Sequence, residues 1–347
     1  VCVVAAAQVP LRARAADAGP WQAGGLAWRE HACPNCVLSL RVTSDAAWAG
    51  TMSAGLIRHD LSTGAVTRHS VAGGVGGRGV YEIAVAADGD VWVATRRDVS
   101  TSRLTGVSHF DGSTWRAYGI ADGVPDAVVD DIAPLPGGRA FVVADRRLAA
   151  LDRAGWSQQG AADGLTGDAA AVAVAPDGAV YAGTTEGLFE RAGSRWVPVD
   201  MAGLPGGRGI LDLAIGADGH VWALLNGGAV GEWTPGPEGV GQWGAWDSLP
   251  GRSTPFDTND EISVDASGCP WVVSGMTAWV LESSEWRRLG DADAFLSASG
   301  YQPSLLTVAP DGALWLGLRS EGLARFDGTS WARTLVQDGP SNLIPME

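Results

Sequence analysis

The chain has 347 residues, 46% hydrophobic, with 49 Gly, 16 Trp and four Cys, and 24 basic against 39 acidic residues leave a net charge of −15. This composition excludes a disordered polymer and a coiled coil, and the charge repels phosphate backbones and anionic lipid, so nucleic acid is excluded as a partner. There is no long unbroken apolar stretch and no Lys at all, which removes a membrane-spanning helix and every amine nucleophile.

The apolar run Val1–Ala7, followed by Leu11-Arg12-Ala13-Arg14-Ala15-Ala16, reads as the end of a signal-peptide core with small residues behind it. Residues 1–20 are therefore expected to be an N-terminal arm or the remnant of a signal or anchor. That places the protein outside the cytoplasm, in a periplasm or at a cell surface, held there through the N-terminus if the segment is retained. Cys33-Pro34-Asn35-Cys36 is a CxxC pair, a pattern shared by redox dithiols, half metal sites and local disulfides. With no second CxxC and no βαβ unit after it, a structural Cys33–Cys36 disulfide is expected, with a distant pairing to Cys2 as the other possibility. Cysteine-linked haem would need His where Val37 stands.

From about residue 38 to 336 one pattern repeats seven times. An aromatic residue follows a small loop, usually Asp-Gly, at Trp48, Trp92, Phe141, Tyr181, Trp222, Trp271 and Trp315, at steps of 44, 49, 40, 41, 49 and 44. A period of roughly 40 to 50 is that of a β-propeller blade. Each copy carries four strand signals; in the fourth these are Val172–Ala175, Val180–Thr184, Gly187–Glu190 and Arg195–Pro198, with a two-residue Asp-Gly turn expected in the first hairpin. The fold predicted is all-β: a seven-bladed propeller of four-stranded antiparallel blades over residues 21–347. Trp21–Ala23 or Leu26–Arg29 is expected to help seal the ring at blade seven, because an unsealed strand edge invites association. Most Trp residues, among them Trp115, Trp156, Trp196, Trp243 or Trp246, Trp286 and Trp331 of the fourth strands, are assigned to blade packing.

The phrases Gly183-Thr184-Thr185-Glu186-Gly187-Leu188-Phe189-Glu190-Arg191, Asp163-Gly164-Leu165 and Leu314-Trp315-Leu316-Gly317 through Gly322–Gly328 resemble the two-component-regulator propeller repeat. The resemblance implies a seven-bladed propeller of the kind that commonly serves as an extracytoplasmic sensor module. More distantly the Asp-Gly-x-Val-Trp turns are similar to those of streptogramin lyases, whose chemistry uses clustered His, a carboxylate and a divalent metal. Here His31, His59, His69, His109 and His220 are scattered over different copies.

Ten residues before the aromatic, at the start of the innermost strand, stand Glu82, Asp131, Asp212 and Glu261, with Ala171 and Leu305 in the same slot and Ser39 one residue closer in the first copy. Inner strands line the central channel, so four carboxylates should crowd one mouth and raise each other's pKa. With Asp130 and Asp260 beside them, they suit a divalent cation such as calcium, or a socket for a basic partner segment. The alternative is that they accept hydrogen bonds from backbone or Arg groups at the strand ends. Arg78, Arg208 and Arg252 lie in corresponding blade-joining loops and suit an anionic ligand or pairing with those carboxylates. The longest such loops, 248–261 and 290–303, make the blade-joining face the expected surface for a protein partner or small ligand. The run Gly73–Gly79 lacks the strand-then-helix context and Lys of a phosphate loop, and Asp60–Gly64 reads as a hairpin turn. No catalytic constellation emerges. The function expected is a non-enzymatic interaction or ligand-sensing module, possible as an accessory subunit of a cell-surface assembly, with a metal-dependent lyase or hydrolase at the acidic mouth as the alternative.

Overall fold

The computed structural model describes residues 37–334 apart from 97–105, 126–128, 203, 206, 237–240, 247–248, 253–254, 258–259, 275–276, 290–302, 319–321 and 327–330. Twenty-eight strands, β1 to β28 in chain order, form seven four-stranded antiparallel sheets, each built from one continuous repeat. The innermost strands are β1 (Val37–Val42), β5 (Gly79–Val85), β9 (Val129–Leu135), β13 (Ala169–Val174), β17 (Ile210–Ile215), β21 (Glu261–Val264) and β25 (Pro303–Val308). Inner strands touch their neighbours from β25 through β1 to β21, and β22 (Pro270–Ser274) touches β25, so the circle is closed.

The first hairpins depart from expectation in one respect. In blade four the Ala175 N–H bonds the Ala179 carbonyl and the Gly178 N–H bonds the Ala175 carbonyl, giving a three-residue loop whose Gly178 has φ 91°. This is a type I turn closed by a left-handed residue, which explains why Gly follows Asp. The Asp-Gly-Leu linkers are equally specific. A short 3-10 helix, Ala161–Asp163, is capped by the Asp163 carboxylate on the Gly160 N–H at 3.0 Å, and Gly164 then turns left-handed with Trp196 of the outer strand against its backbone. Leu165 is thereby delivered into the gap between blades three and four.

That gap is where the core lies. Seven apolar clusters each join two adjacent blades, every one holding repeat aromatics. Packing is the role found for the repeat's aromatic position: Trp92, Phe141, Tyr181, Trp222, Trp271 and Trp315 are all buried. The seam is no exception. Blade seven supplies all four of its strands from residues 303–334, and Trp315 and Leu323 pack directly on Val37, Leu40 and Ile57 of blade one. Blade seven is thus complete without a strand from the N-terminal segments expected to seal it; those segments lie outside the described residues. Side-chain burial across the seam closes the ring.

Candidate functional site at the channel mouth

The sequence slot of Glu82, Asp131 and Asp212 is marked in the structure by a β-bulge, while Glu261 opens its strand in regular register. In blades one, two, three, four, five and seven the register of the inner strand slips by one residue just before the slot. A bulge re-aims the residue that follows it, and here it turns the slot residue along the channel edge toward the next blade. Ser39 donates its hydroxyl to the Val80 carbonyl at 3.2 Å, from blade one to blade two. Asp131 accepts the N–H of Ile132 at 2.8 Å and, across the gap, that of Val172 at 2.7 Å. Asp212 repeats this with Leu213 and Ile262, both at 2.8 Å. The innermost strand is the edge strand of its blade, so the channel-side N–H groups have no strand partner and the carboxylates supply one.

All four carboxylates sit in one field. Burial first, then the charges of Asp131 and Glu261, push the Glu82 carboxyl well above the usual range, against the pull of Arg41. Burial and the Asp131 charge do the same for Asp212, outweighing its two backbone donors. Asp131 is raised to about 6 by burial, and Glu261 is raised by burial with Arg41 opposing. Water reaches these groups within the channel, where Glu82, Asp131 and Asp212 are half-buried and Glu261 exposed, while protein surrounds their other sides.

Arg41 escaped the sequence reading. It pairs with Trp48 on the inner strand, and the residues opposite the corresponding aromatics are Ala84, Ala133, Ala173, Ala214, Ser263 and Thr307. A lone Arg in a column of small residues was the available signal.

The candidates do not assemble as one ligand set. Asp130 is the bulged residue of β9, out of the slot. Asp260 is buried and turned to Arg252 at 2.6 Å. Arg252 also donates to Ser274 and to the Pro255 carbonyl and stacks on Phe256 at 4.7 Å, so it is a loop clasp rather than an open anion site. Arg78 and Arg208 are exposed, apart from it. Among the described residues no three His, Cys, Asp or Glu side chains converge to hold a metal ion. The carboxylates of Asp131 and Asp212 are spent on backbone N–H groups, and three histidines are already engaged: within their own blades His109 bonds Asp90 at 2.7 Å and His220 bonds Glu232 at 2.8 Å, while the His69 Nδ1 of blade one accepts from Trp115 of blade two.

Cys33 and Cys36 lie outside the described residues. Cys269, buried at the start of blade six's second strand, is disulfide-bonded.

No protein-family model matches the chain, and no curated protein does. Solved structures share its fold. Virginiamycin B lyase from Staphylococcus aureus superposes with a TM-score of 0.61 at 12% identity, over 86% of this chain and 97% of that one. YCF48 bound to D1 peptide gives 0.56 at 14%, over 86% and 95%. The extracellular domain of the putative hybrid two-component system BT4673 from B. thetaiotaomicron gives 0.56 at 15%, over 86% of this chain and 38% of that one. At these identities the likeness is one of fold, and it extends alike to a lyase, a protein bound to a peptide and the extracellular domain of a two-component system. No helix among the described residues is long and apolar enough to cross a membrane.

Proposed function

We propose that the chain is an exported, non-enzymatic interaction module that receives a basic segment of a partner protein at the channel mouth on its blade-joining face. The observation that carries this reading is a ring of carboxylates that is costly to ionise: burial raises all four, the charges of Asp131 and Glu261 raise Glu82 and Asp212 further, Asp131 raises Glu261, and Arg41 is the opposing cation for Glu82, Asp131 and Glu261. A partner's Arg or Lys entering the mouth would lower the cost of ionising them. A calcium ion suits the mouth less well, because Asp131 and Asp212 already hold backbone donors. Export is supported by the Cys269 disulfide, since disulfides persist in oxidising compartments. The peptide carried by the YCF48 propeller and the extracellular place of the BT4673 domain are consistent with both parts of the reading.

The test is fluorescence anisotropy of a labelled decalysine peptide, with an uncharged peptide of equal length as control. Binding that weakens with salt and is lost in Glu82→Gln/Glu261→Gln supports the mouth as the socket. No binding at low salt, or binding indifferent to those substitutions, overturns it.

A further inference from the structure

Away from the mouth, three consecutive fourth strands end beside the outer tryptophan of the next blade, and the residue standing there differs each time. β4 (Val66–His69) ends on His69, β8 (Trp115–Tyr118) on Tyr118 and β12 (Gly155–Gln159) on Gln159. Between blades three and four the Trp196 Nε1–H donates to Gln159 Oε1 at 3.4 Å. Between blades two and three Tyr118 meets Trp156 edge-on, with ring centroids 5.8 Å apart. Between blades one and two the Trp115 Nε1–H donates to His69 Nδ1 at 3.1 Å. Of these three residues His69 is the one whose contact can be cancelled by a proton near neutral pH.

Accepting from Trp115 fixes the state of the imidazole. Nδ1 carries the lone pair, so the ring is neutral with its proton on Nε2. Nε2 is buried and makes no hydrogen bond among the described residues. Aromatic rings enclose it: Trp48 of its own blade at 6.0 Å, and Phe110 and Trp115 of blade two at 5.0 and 5.5 Å. The charge that acts on it is Arg58, on the same face of blade one and itself paired with Asp45 at 3.0 Å and Asp60 at 3.1 Å. His59 and Arg68 alternate onto the opposite face of that blade. Nearby charges of blade two are engaged elsewhere: His109 with Asp90 and Trp92, Arg116 over Tyr118, and Asp111 with Ser113 and Thr114. Arg78, in the linker between the blades, is exposed.

A second proton has to go onto Nδ1, which turns that atom from acceptor to donor and sets it against the Trp115 N–H. The hydrogen bond is lost, and a cation is left in an apolar cage beside Arg58. Burial first, then Arg58, accordingly lowers the His69 pKa from its ordinary value. The side that can yield is Trp115. It opens β8, the outermost strand of blade two, whose ladder runs to β7 (Gly106–Phe110) alone. The linker Val71–Gly74 rests on the same residue, since a Cβ at Gly74 would lie 2.9 Å from that of Trp115. We propose that His69 is an acid-sensitive latch between blades one and two: protonation at Nδ1 releases the Trp115 indole, and with it the outer end of that gap and the linker above it. The gaps closed by Tyr118 and Gln159 stay shut over the same pH range.

The inference is independent of the channel mouth and is tested apart from it. A lowered histidine pKa gives a contribution that is full above about pH 6.5 and shrinks as pH falls below it. The four channel carboxylates slope the stability of the whole chain the other way, so the readout is local. NMR of the intact chain with 15N in histidine and tryptophan should show His69 Nδ1 unprotonated at pH 7.5 and the ring titrating below about 6.5. Between pH 7.5 and 5 the Trp115 indole N–H should lose roughly tenfold or more of its exchange protection relative to that of Trp196, which serves as the reference within the same molecule. His69→Gln copies the Gln159 acceptor without its being able to titrate, and should hold the Trp115 to Trp196 ratio constant with pH. A His69 pKa at or above about 6.5 overturns the proposal, as does Trp115 protection that tracks Trp196 in the parent. Trp115 opening in acid equally in His69→Gln also overturns it. If His69→Gln does not fold, the titration and the protection ratio of the parent decide alone.

Discussion

Asp260 and Glu261 are neighbours in sequence, and the fold treats their charges in opposite ways. Asp260, with a side chain 3% exposed, is neutralised by Arg252 and takes the Asp257 N–H at 2.8 Å. Glu261 opens onto the channel, facing a field of other carboxylates with Arg41 as the cation that opposes them. A one-residue step at the head of β21 thus separates a charge used to build a loop from a charge left available. The difference teaches that acidity at this mouth is two populations: carboxylates satisfied by structure and carboxylates that remain costly.

The sharpest way to break the comparison is to orphan the satisfied one. Arg252→Met should cost about 3–5 kcal/mol at neutral pH, because it leaves a buried carboxylate without its counter-charge. Urea unfolding measures this, and Arg252→Met/Asp260→Leu should recover most of the loss. If the single substitution costs no more than a surface change, the clasp is not structural.

The costly population shows itself through pH. Asp131 moves from 3.8 to about 6 on folding. Between those values the folded chain keeps a proton that the unfolded chain has released, so stability falls as pH rises across that window, by up to about 3 kcal/mol for this group. Glu82, Asp212 and Glu261 slope the same way. Asp60 and Asp111, held low by hydroxyl and backbone donors of Ser62, Thr63, Ser113 and Thr114, oppose it only as pH falls below about 4. Thermal melts should therefore peak near pH 4 to 5. A melting temperature that rises from pH 5 to 7 would contradict the crowding.

How far the sequence carries one depends on whether a property is periodic. The aromatics at Trp92 or Trp315, the Asp-Gly turns and the linker Leu165 recur, and each recurrence names the same place in the blade. The acidic slot was legible for the same reason. What failed to show were features of a single copy or of the space between two. Arg41 is hidden until its column of alanines is aligned, and the orientation of Asp131 depends on a bulge that leaves no residue signature.

Within the slot itself the two populations can be told apart by smaller effects. Asp212→Ala should cost about 2 kcal/mol, since it removes the acceptor for both the Leu213 and Ile262 N–H groups at the junction of blades five and six. Channel water offsets part of that loss. Amide exchange should locate it, with protection falling at Ile262.

Glu261→Gln completes the series with the opposite sign. This carboxylate has no hydrogen bond to the next blade among the described residues, and its ionisation is opposed by burial and by Asp131. Replacing it with a neutral isostere removes a penalty and no structural bond, so the free protein should melt slightly higher near pH 7 and show a flatter pH profile, the gain kept small by channel water screening an exposed group. The same substitution should weaken decalysine binding. Stability gained together with binding lost is the signature of a group kept for a partner, whereas a loss of stability in Glu261→Gln would show that Glu261, like Asp131 and Asp212, holds structure as well as carrying a costly charge.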